Sequence, residues 1–200
     1  MGFTNKGNCY YYIKNDIAFC ISFDFGGLVY CTAHVMPLYM PCEGLYYTFG
    51  DRLGCIPGST VDALLSTAGA SEAEMWFDDL MDALHKIILP FFNTISSPLQ
   101  LLRFVNGNSA AVKAFFRCPP DQLDRLRVFT YLYLNDGDHL RKAIQHAYKS
   151  LSRANYTERM KEERNRELSS LEARLSDDGF SGSRFCAEII ERSLQCCFGK

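Results

Sequence analysis

The stretch that decides the fold is "CYYYIKNDIAFCISFDFGGLVYC", residues 9–31, where Tyr, Phe, Ile and Val form runs separated by two short dipeptides. Aromatic and β-branched residues of this kind are typical of strands. Asn15-Asp16 and Gly26-Gly27 tolerate the positive φ of two-residue hairpin turns. We therefore predict an antiparallel meander of three strands that continues to residue 36, with a fourth strand in "LYYTF", residues 45–49.

Two-residue turns would also fix the pairing of these strands. The first turn would place Lys14 opposite Ile17, and the second would place Phe25 opposite Leu28. Because successive side chains of a strand alternate between faces, one face would carry three tyrosines and a histidine: Tyr10, Tyr12, Tyr30 and His34. Tyrosines supply a large contact area and a hydroxyl group, so this face is a candidate binding surface. The alternative is a sheet face that only packs against the rest of the fold.

Cys9, Cys20 and Cys31 recur at equal spacing, and Cys42 continues the series. On the predicted pairing the first three share the second face, but Cys20 and Cys31 are diagonal neighbours roughly 7–8 Å apart, at or beyond the reach of a disulfide. The sequence contains no Cys-x-x-Cys, the strongest zinc signature. We interpret the series as small buried hydrophobic residues. Adjacent Cys196-Cys197 could bind a soft metal or be oxidised.

After Pro57 the hydrophobic period becomes helical. A capping box of Ser71 and Glu74 predicts the start of a helix in "SEAEMWFDDLMDALHKIILPFF", which would end near Pro90. Ser97-Pro98 predicts the cap and first residue of a second helix. "SAAVKAFF", residues 109–116, is a short helix candidate.

The hydrophobic and charge patterns of the remainder of the chain predict helices. Residues 121–134 and 139–152 predict a helical hairpin, residues 154–176 a charged helix, and residues 184–198 a final amphipathic helix. The predicted fold class is α+β: an N-terminal antiparallel meander of three to four strands packed by helices, followed by a helical C-terminal half. The predicted domains are 1–107 and 108–200, with one continuous domain as the alternative.

Composition excludes several classes of function. A net charge of −2, with 21 basic against 23 acidic residues, gives no basic footprint for nucleic acid. No apolar run approaches the ~20 residues of a membrane span, and the N-terminus does not resemble a secretory signal. The chain is expected in the cytoplasm. Since phosphate-loop, dinucleotide and nucleophile-elbow motifs are absent, no cofactor is expected.

Two groups of residues could carry metal or acid–base chemistry. Asp78, Asp82 and His85 lie at i, i+4 and i+7, so they share a helix face that could hold a divalent ion. The alternative is a solvated acidic face. His139 and His146 also share a face, after Asp136 and Asp138, which would cap that helix.

Cys55 lies in the glycine-rich stretch "FGDRLGCIPGST" and could in principle be a nucleophile. No base lies near it in sequence, so a structured loop is the preferred interpretation. An enzyme alternative therefore remains: a small metal-dependent enzyme that uses His34, His139 or the Asp78, Asp82 and His85 face.

The opening "GFTNKGNCYYY", followed by strands and by "ALHKIILPFFNTISSPLQLLRFV", resembles a bacterial family of domains of unknown function over residues 2–105. Its members open on a Gly-Phe-x-Lys-x-Gly stretch that enters a small sheet. They continue with a helix that ends in a Pro-Phe-Phe-like segment. In that family a helix precedes the Gly-Phe stretch, which here follows Met1 directly. Some relatives resemble immunity proteins of bacterial toxin systems, so the resemblance implies a binding role.

The sequence thus predicts a non-enzymatic, immunity-like module that binds another protein. Its surface would be the tyrosine and histidine face of the sheet or the charged helix 154–176. A further alternative is a helical scaffold that self-associates through a leucine stripe on that helix: Leu168, Leu171 and Leu175.

Overall fold

The structure, a computed structural model, describes residues 2–42, 49–65, 67–107, 120–153 and 156–199. The chain divides into two compact units. The first comprises Met1–Pro37 and Leu45–Cys118, and the second comprises Leu38–Gly44 and Pro119–Lys200. The segment Leu38–Gly44 therefore belongs to the helical unit, although it lies within the predicted domain 1–107.

The first unit contains an antiparallel sheet with six strands in the described residues. The strands are β1 Thr4–Lys6, β2 Cys9–Lys14, β3 Ile17–Phe25, β4 Leu28–Pro37, β5 Phe49–Arg52 and β6 Leu64–Leu65. They follow the order β1-β2-β3-β4-β5, and β6 pairs with the start of β4. The α+β class and the antiparallel sheet are confirmed. The predicted number of strands was too low, because the short strands β1 and β6 carry no alternating pattern. Most of the strand predicted at 45–49 lies outside the described residues.

The first hairpin has the predicted register. Lys14 pairs with Ile17, and the two turn residues Asn15 and Asp16 adopt φ of 51° and 59°. Positive φ at both central residues is the geometry of a type I′ turn, whose twist matches that of the flanking strands. The Asn15 side chain also donates a 2.6 Å hydrogen bond to the carbonyl of Ser96, which ties the turn to the helical part of this unit.

The predicted register of the second hairpin was wrong by one residue. Phe25 pairs with Val29 rather than with Leu28, so the loop has three residues. Neither Gly26 nor Gly27 adopts the positive φ that a two-residue hairpin turn needs. Because side chains alternate along a strand, this shift moves every side chain of β4 to the other face.

Three helices follow the sheet in the first unit: α1 Ala70–Ala83, α2 Leu89–Thr94 and α3 Pro98–Asn106. The cap predicted at Ser71 was wrong, since α1 begins earlier and the Glu72 carboxylate accepts a 3.2 Å hydrogen bond from the amide of Gly69. Pro90 does not end the helical path. A π-helical turn, Leu84–Ile88, precedes it, and the proline falls in the first turn of α2, where it is tolerated.

The predicted start of α3 is confirmed. Ser97 accepts a hydrogen bond from the amide of Gln100, and Pro98 is the first helical residue. On α2, Phe92 packs against Phe19 of the sheet, with ring centroids 5.2 Å apart. One face of the sheet is therefore covered by α2. The helix predicted at 109–116 lies outside the described residues.

The second unit contains four helices in its described part: α4 Pro120–Tyr133, α5 Gly137–Arg153, α6 Glu158–Leu175 and α7 Gly182–Ser193. A π-helical turn, Leu194–Phe198, extends α7. The hairpin of α4 and α5 is confirmed, and Asn135 makes its turn with a φ of 54°. The first two residues of the predicted helix 154–176 lie outside the described residues.

Residues 38–42, the described part of the segment Leu38–Gly44, pack into this helical unit through Tyr39. The Tyr39 ring is fully buried and lies 4.9 Å from the ring of Tyr133. Its hydroxyl is 3.2 Å from the hydroxyl of Thr130 on α4. A buried tyrosine whose hydroxyl has a partner fixes a segment firmly, so this stretch is part of the core of the second unit.

Candidate functional site

The four residues predicted to form one binding face lie on opposite faces of the sheet. The register places Tyr10 and Tyr12 on the face with Phe19, whereas Tyr30 and His34 lie on the face with Cys20. The predicted grouping was therefore wrong, and the cause is the one-residue shift in the second hairpin. Tyr10 remains half exposed, and its ring lies 6.1 Å from that of Phe23 on the same face.

Two of these tyrosines are engaged within the sheet. Tyr12 stacks on Phe19 with ring centroids 4.8 Å apart, and burial raises the pKa of Tyr12 to about 12. The guanidinium of Arg52 lies 3.8 Å from the centre of the Tyr30 ring, a cation–π contact. Both rings therefore contribute to the stability of the sheet.

His34 is a core residue. It is 1% exposed and lies between Cys20 and Gly50 on the neighbouring strands. Burial lowers the pKa of His34 to about 4, because desolvation penalises the charged imidazolium. Gly50 is required beside it, since a Cβ there would lie 2.1 Å from the carbonyl oxygen of Ala33. A neutral imidazole so deeply buried cannot touch a partner protein.

The strand cysteines do not form a site either. Cys9 and Cys20 share the face of His34, but the corrected register places Cys31 on the other face. A hydrogen bond from the Cys20 thiol lowers the pKa of Cys9 to about 7, with help from Ser22 and against the effect of burial. Burial raises the pKa of Cys31 to about 12. Cys9 is only 4% exposed, so its thiolate is inaccessible to reagents.

The candidate metal face does not gather ligands. Asp78, Asp82 and His85 are all exposed. Asp82 forms an ion pair with Lys86 at 2.7 Å. In the part of the chain that the structure describes, no three or more His, Cys, Asp or Glu side chains converge to hold a metal ion. The enzyme alternative therefore gains no support from this face.

The two histidines of α5 have separate partners. His139 lies 2.8 Å from Asp136 and stacks on Tyr131, and the same Asp136 accepts a hydrogen bond from the first turn of α5. That hydrogen bonding lowers the pKa of Asp136. His146 instead contacts Asp124 on α4 at 3.0 Å. Asp136 thus caps α5 as predicted, and the two imidazoles do not form a joint site.

A network of charged residues joins α4 to α6. Arg125 binds both carboxylate oxygens of Glu167, at 2.8 and 3.0 Å, and donates to the carbonyl of Pro41 at 2.9 Å. Arg164 reaches Glu167 at 3.3 Å and Asp121 at 3.5 Å. The cavity between these residues measures about 20 Å³, room for about one water molecule. The network therefore holds helices together rather than binding a ligand. Its members are far apart in sequence, so no local pattern revealed it.

Many charged residues of the helix α6 pair with one another or with other residues of the second unit. It carries five acidic and five basic residues, with pairs such as Arg159–Glu163 at 2.9 Å and Lys161–Glu158 at 3.0 Å. Leu168 and Leu171 are buried within the second unit. The leucine stripe proposed for self-association is therefore used inside the unit, and of its three leucines only Leu175 is exposed.

The helix α1 differs from α6. Its buried side is fixed by Leu80 and Ala83 and by Trp76, whose indole N–H donates to the carbonyl of Asp62 at 2.7 Å. The two flanks of the helix face solvent, and each carries one large apolar side chain: Met75 (70% exposed) and Phe77 (55% exposed). The predicted apolar stripe is thus correct for Trp76 and Leu80, but the periodicity did not reveal the exposed pair.

The exposed side of α1 is also strongly acidic. The helix contains five carboxylates and no basic residue: Glu72, Glu74, Asp78, Asp79 and Asp82. Glu74, Asp78 and Asp82 follow one another at i and i+4, so they form one row along the helix. The helical period places Phe77 on one side of this row and Met75 on the other. We call these five residues the α1 surface: Glu74, Met75, Phe77, Asp78 and Asp82.

Comparison of the chain with protein-family models, with curated proteins and with solved structures finds no match. In the described residues, no helix has both the length and the apolar character needed to cross a membrane.

Proposed function

We propose that this chain is a non-enzymatic protein-binding module and that it binds its partner through the α1 surface. The observation that supports this most is a row of carboxylates flanked by two exposed apolar side chains. The partner would present a basic segment with its own apolar anchors.

The row of carboxylates has a cost for folding. Like charges at i and i+4 destabilise a helix by about 0.2–0.5 kcal/mol per pair. Among the described residues, only Asp82 of the row has an ion-pair partner, Lys86. A feature that weakens α1 is best explained by a partner that supplies the missing positive charge.

The apolar residues give the second part of the argument. Met75 and Phe77 would each remove apolar area from water when covered, at about 25 cal/mol per Å². Methionine and phenylalanine are enriched in the cores of protein interfaces, and lysine or arginine on the partner would face the acidic row. Opposite charges at the rim accelerate association and make it sensitive to salt.

The immunity-like form of the proposal rests on the resemblance of residues 2–105 to a family with immunity-like relatives. An inhibitor of a basic toxin domain would use an acidic surface of this kind. The fold itself does not select this role, so the identity of the captured partner tests it.

The proposal can be tested with two matched variants. The first changes the α1 surface by Glu74→Gln, Asp78→Asn and Met75→Ser. The second makes an equivalent change on α6 by Glu162→Gln, Glu163→Gln and Met160→Ser. Each removes two carboxylates and one exposed methionine.

Tagged wild type and both variants would be purified from the host, and the proteins that co-elute would be quantified by mass spectrometry. We expect one partner at near-equal amounts with the wild type and the α6 variant, and its loss from the α1 variant. Retention of the partner by the α1 variant would show that the interface lies outside the α1 surface. The absence of any stoichiometric partner of the wild type would contradict the binding role.

A further inference from the structure

A pair of cysteines lies in contact in the second unit, far from the α1 surface in sequence. The sulfur atoms of Cys42 and Cys197 are 3.5 Å apart, although 155 positions separate the two residues. The Cys42 thiol also donates to the hydroxyl of Ser193 at 3.4 Å. The two thiols are therefore in contact, and the hydroxyl of Ser193 orients the thiol of Cys42.

Both thiols sit on fixed backbone. Cys42 lies in the segment whose Tyr39 is buried against α4 and whose Pro41 carbonyl accepts a hydrogen bond from Arg125. Cys197 lies in the π-helical turn Leu194–Phe198, which Gly199 closes in the left-handed conformation. An S–S bond is about 2.05 Å long, so the sulfur atoms need to approach by roughly 1.5 Å. Rotation of the two side chains moves sulfur atoms over such a distance.

The two thiols differ in access. Cys42 is partly exposed, whereas Cys197 is 2% exposed. Ser193, which accepts the hydrogen bond from Cys42, is 1% exposed. A reagent therefore reaches Cys42 from solvent, whereas Cys197 is buried and its sulfur lies within contact distance of the Cys42 sulfur. This division matches a pair in which the exposed thiol attacks the oxidant first and the buried thiol resolves the mixed disulfide.

We infer that Cys42 and Cys197 form a redox site that takes a small disulfide of the glutathione class as its oxidant. This inference is independent of the proposed binding function. The Cys42 thiolate attacks one sulfur of the small disulfide, forms a mixed disulfide and releases one thiolate of the small molecule. The Cys197 thiolate then attacks the Cys42 sulfur and releases the second.

The electrons and protons balance. The two protein thiols lose two electrons and become one disulfide, and the small disulfide gains those electrons and becomes two thiols. The protons of the two cysteines end on the two released molecules. No metal or additional oxidant takes part.

The bond would cross-link the segment Leu38–Gly44 to the end of α7. A disulfide that closes a long loop constrains the unfolded chain strongly. Oxidation is therefore expected to raise the thermal midpoint of the second unit, and reduction to reverse the change. The site would couple the stability of this unit to the ratio of small disulfide to thiol around it.

The test uses the folded full-length chain and glutathione disulfide as the probe. After incubation, remaining thiols are alkylated, and intact mass and peptide maps are recorded. We expect the wild type to carry no alkyl group on Cys42 or Cys197 and to yield a peptide pair joined through these two residues. The Cys197→Ser variant should instead keep glutathione on Cys42, because nothing resolves the mixed disulfide.

Two further variants keep the test decisive. Cys196→Ser removes the exposed neighbour of Cys197 and should leave the Cys42–Cys197 product unchanged. Cys42→Ser should leave Cys197 without glutathione, and it serves if Cys197→Ser fails to fold by circular dichroism. A disulfide between Cys196 and Cys197, or glutathione only on the exposed Cys55 and Cys196 with Cys42 unmodified, would overturn the inference.

Discussion

Helices α1 and α6 are both exposed and rich in charge, yet their charges have opposite consequences. In α6 the acidic and basic residues are equal in number, and Glu167 anchors the helix to Arg125 of α4. In α1 all the charges are negative and only Asp82 is paired among the described residues. The apolar residues differ as well: Leu168 and Leu171 of α6 are buried, whereas Met75 and Phe77 of α1 face solvent.

The difference shows which surface features indicate a binding role. A helix whose charges pair within its own fold gains stability from them. A helix whose like charges lie in one row loses stability, and exposed apolar side chains beside that row add to the loss. Charge density alone therefore favoured α6 in the sequence, whereas the pattern of pairing in the structure favours α1.

The largest expected effect is a loss of stability at low pH that arises from His34. It limits comparisons of the two helices to pH values at which the protein stays folded. The pKa of His34 falls from its ordinary 6.5 to about 4 through burial, so between these values the unfolded state binds a proton that the folded state does not. Stability is then fully present above pH 6.5 and is lost as the pH falls towards 4. We expect a loss of about 3 kcal/mol. Urea unfolding of the wild type and of His34→Gln at both pH values measures it, and an equal loss in the variant would contradict the assignment to His34.

The next effect tests the structural role of α6. Glu167→Gln leaves Arg125 partly buried without its carboxylate, since the two side chains are only 13% and 21% exposed. We expect a loss of about 2 kcal/mol in the free energy of unfolding, below the range for fully buried pairs because some solvent screening remains. Urea unfolding at pH 7 measures it. The exposed Glu162→Gln is the matched control and should change stability little; equal effects would mean that α6 is not held by this pair.

The third effect tests the role of α1 in binding. Asp78→Lys reverses the charge at the centre of the acidic row, and we expect at least about a tenfold loss in affinity for the captured partner, equivalent to about 1.4 kcal/mol. Raising the ionic strength from about 0.05 to about 0.5 M should weaken the wild-type complex by shortening the screening length. Titration calorimetry measures both. Insensitivity to the substitution and to salt would place the contact outside the acidic row.

The smallest expected effects are two changes in the free energy of unfolding, of opposite sign on the two helices. Asp78→Asn relieves repulsion with Glu74 and Asp82, two like-charge pairs, so it should raise the free energy of unfolding by about 0.4–1 kcal/mol. Glu163→Gln on α6 removes the pair with Arg159 and should lower it by about 0.3 kcal/mol. Replicate urea midpoints resolve such changes. The same sign for both substitutions would show that the two helices do not differ in the way described.

The sequence predicted those parts of the fold that depend on neighbouring residues. Asn15-Asp16 fixed the first hairpin because both residues tolerate positive φ, and Ser97-Pro98 marked the start of α3. Gly26-Gly27 led to a wrong register for the second hairpin, because glycine permits a two-residue turn without requiring it. The resulting shift separated Tyr30 and His34 from Tyr10 and Tyr12.

The candidate site was predictable only in part. Periodicity identified the side of α1 that contains Trp76 and Leu80, and spacing put Asp78 and Asp82 on one face. Neither shows whether the opposite side is covered, because that depends on packing from distant parts of the chain. The contact between Cys42 and Cys197 was hidden for the same reason, since 155 positions separate them.

The most direct test of the account places a photo-crosslinking amino acid at position 77 on α1 and, separately, at position 160 on α6, two exposed sites. Both proteins would be irradiated in the host, and the crosslinked products would be identified by mass spectrometry. We expect one dominant partner crosslinked from position 77, with a basic segment at the contact, and no such product from position 160. The same partner from position 160 alone, or no product from position 77, would contradict the claim that α1 is the binding surface.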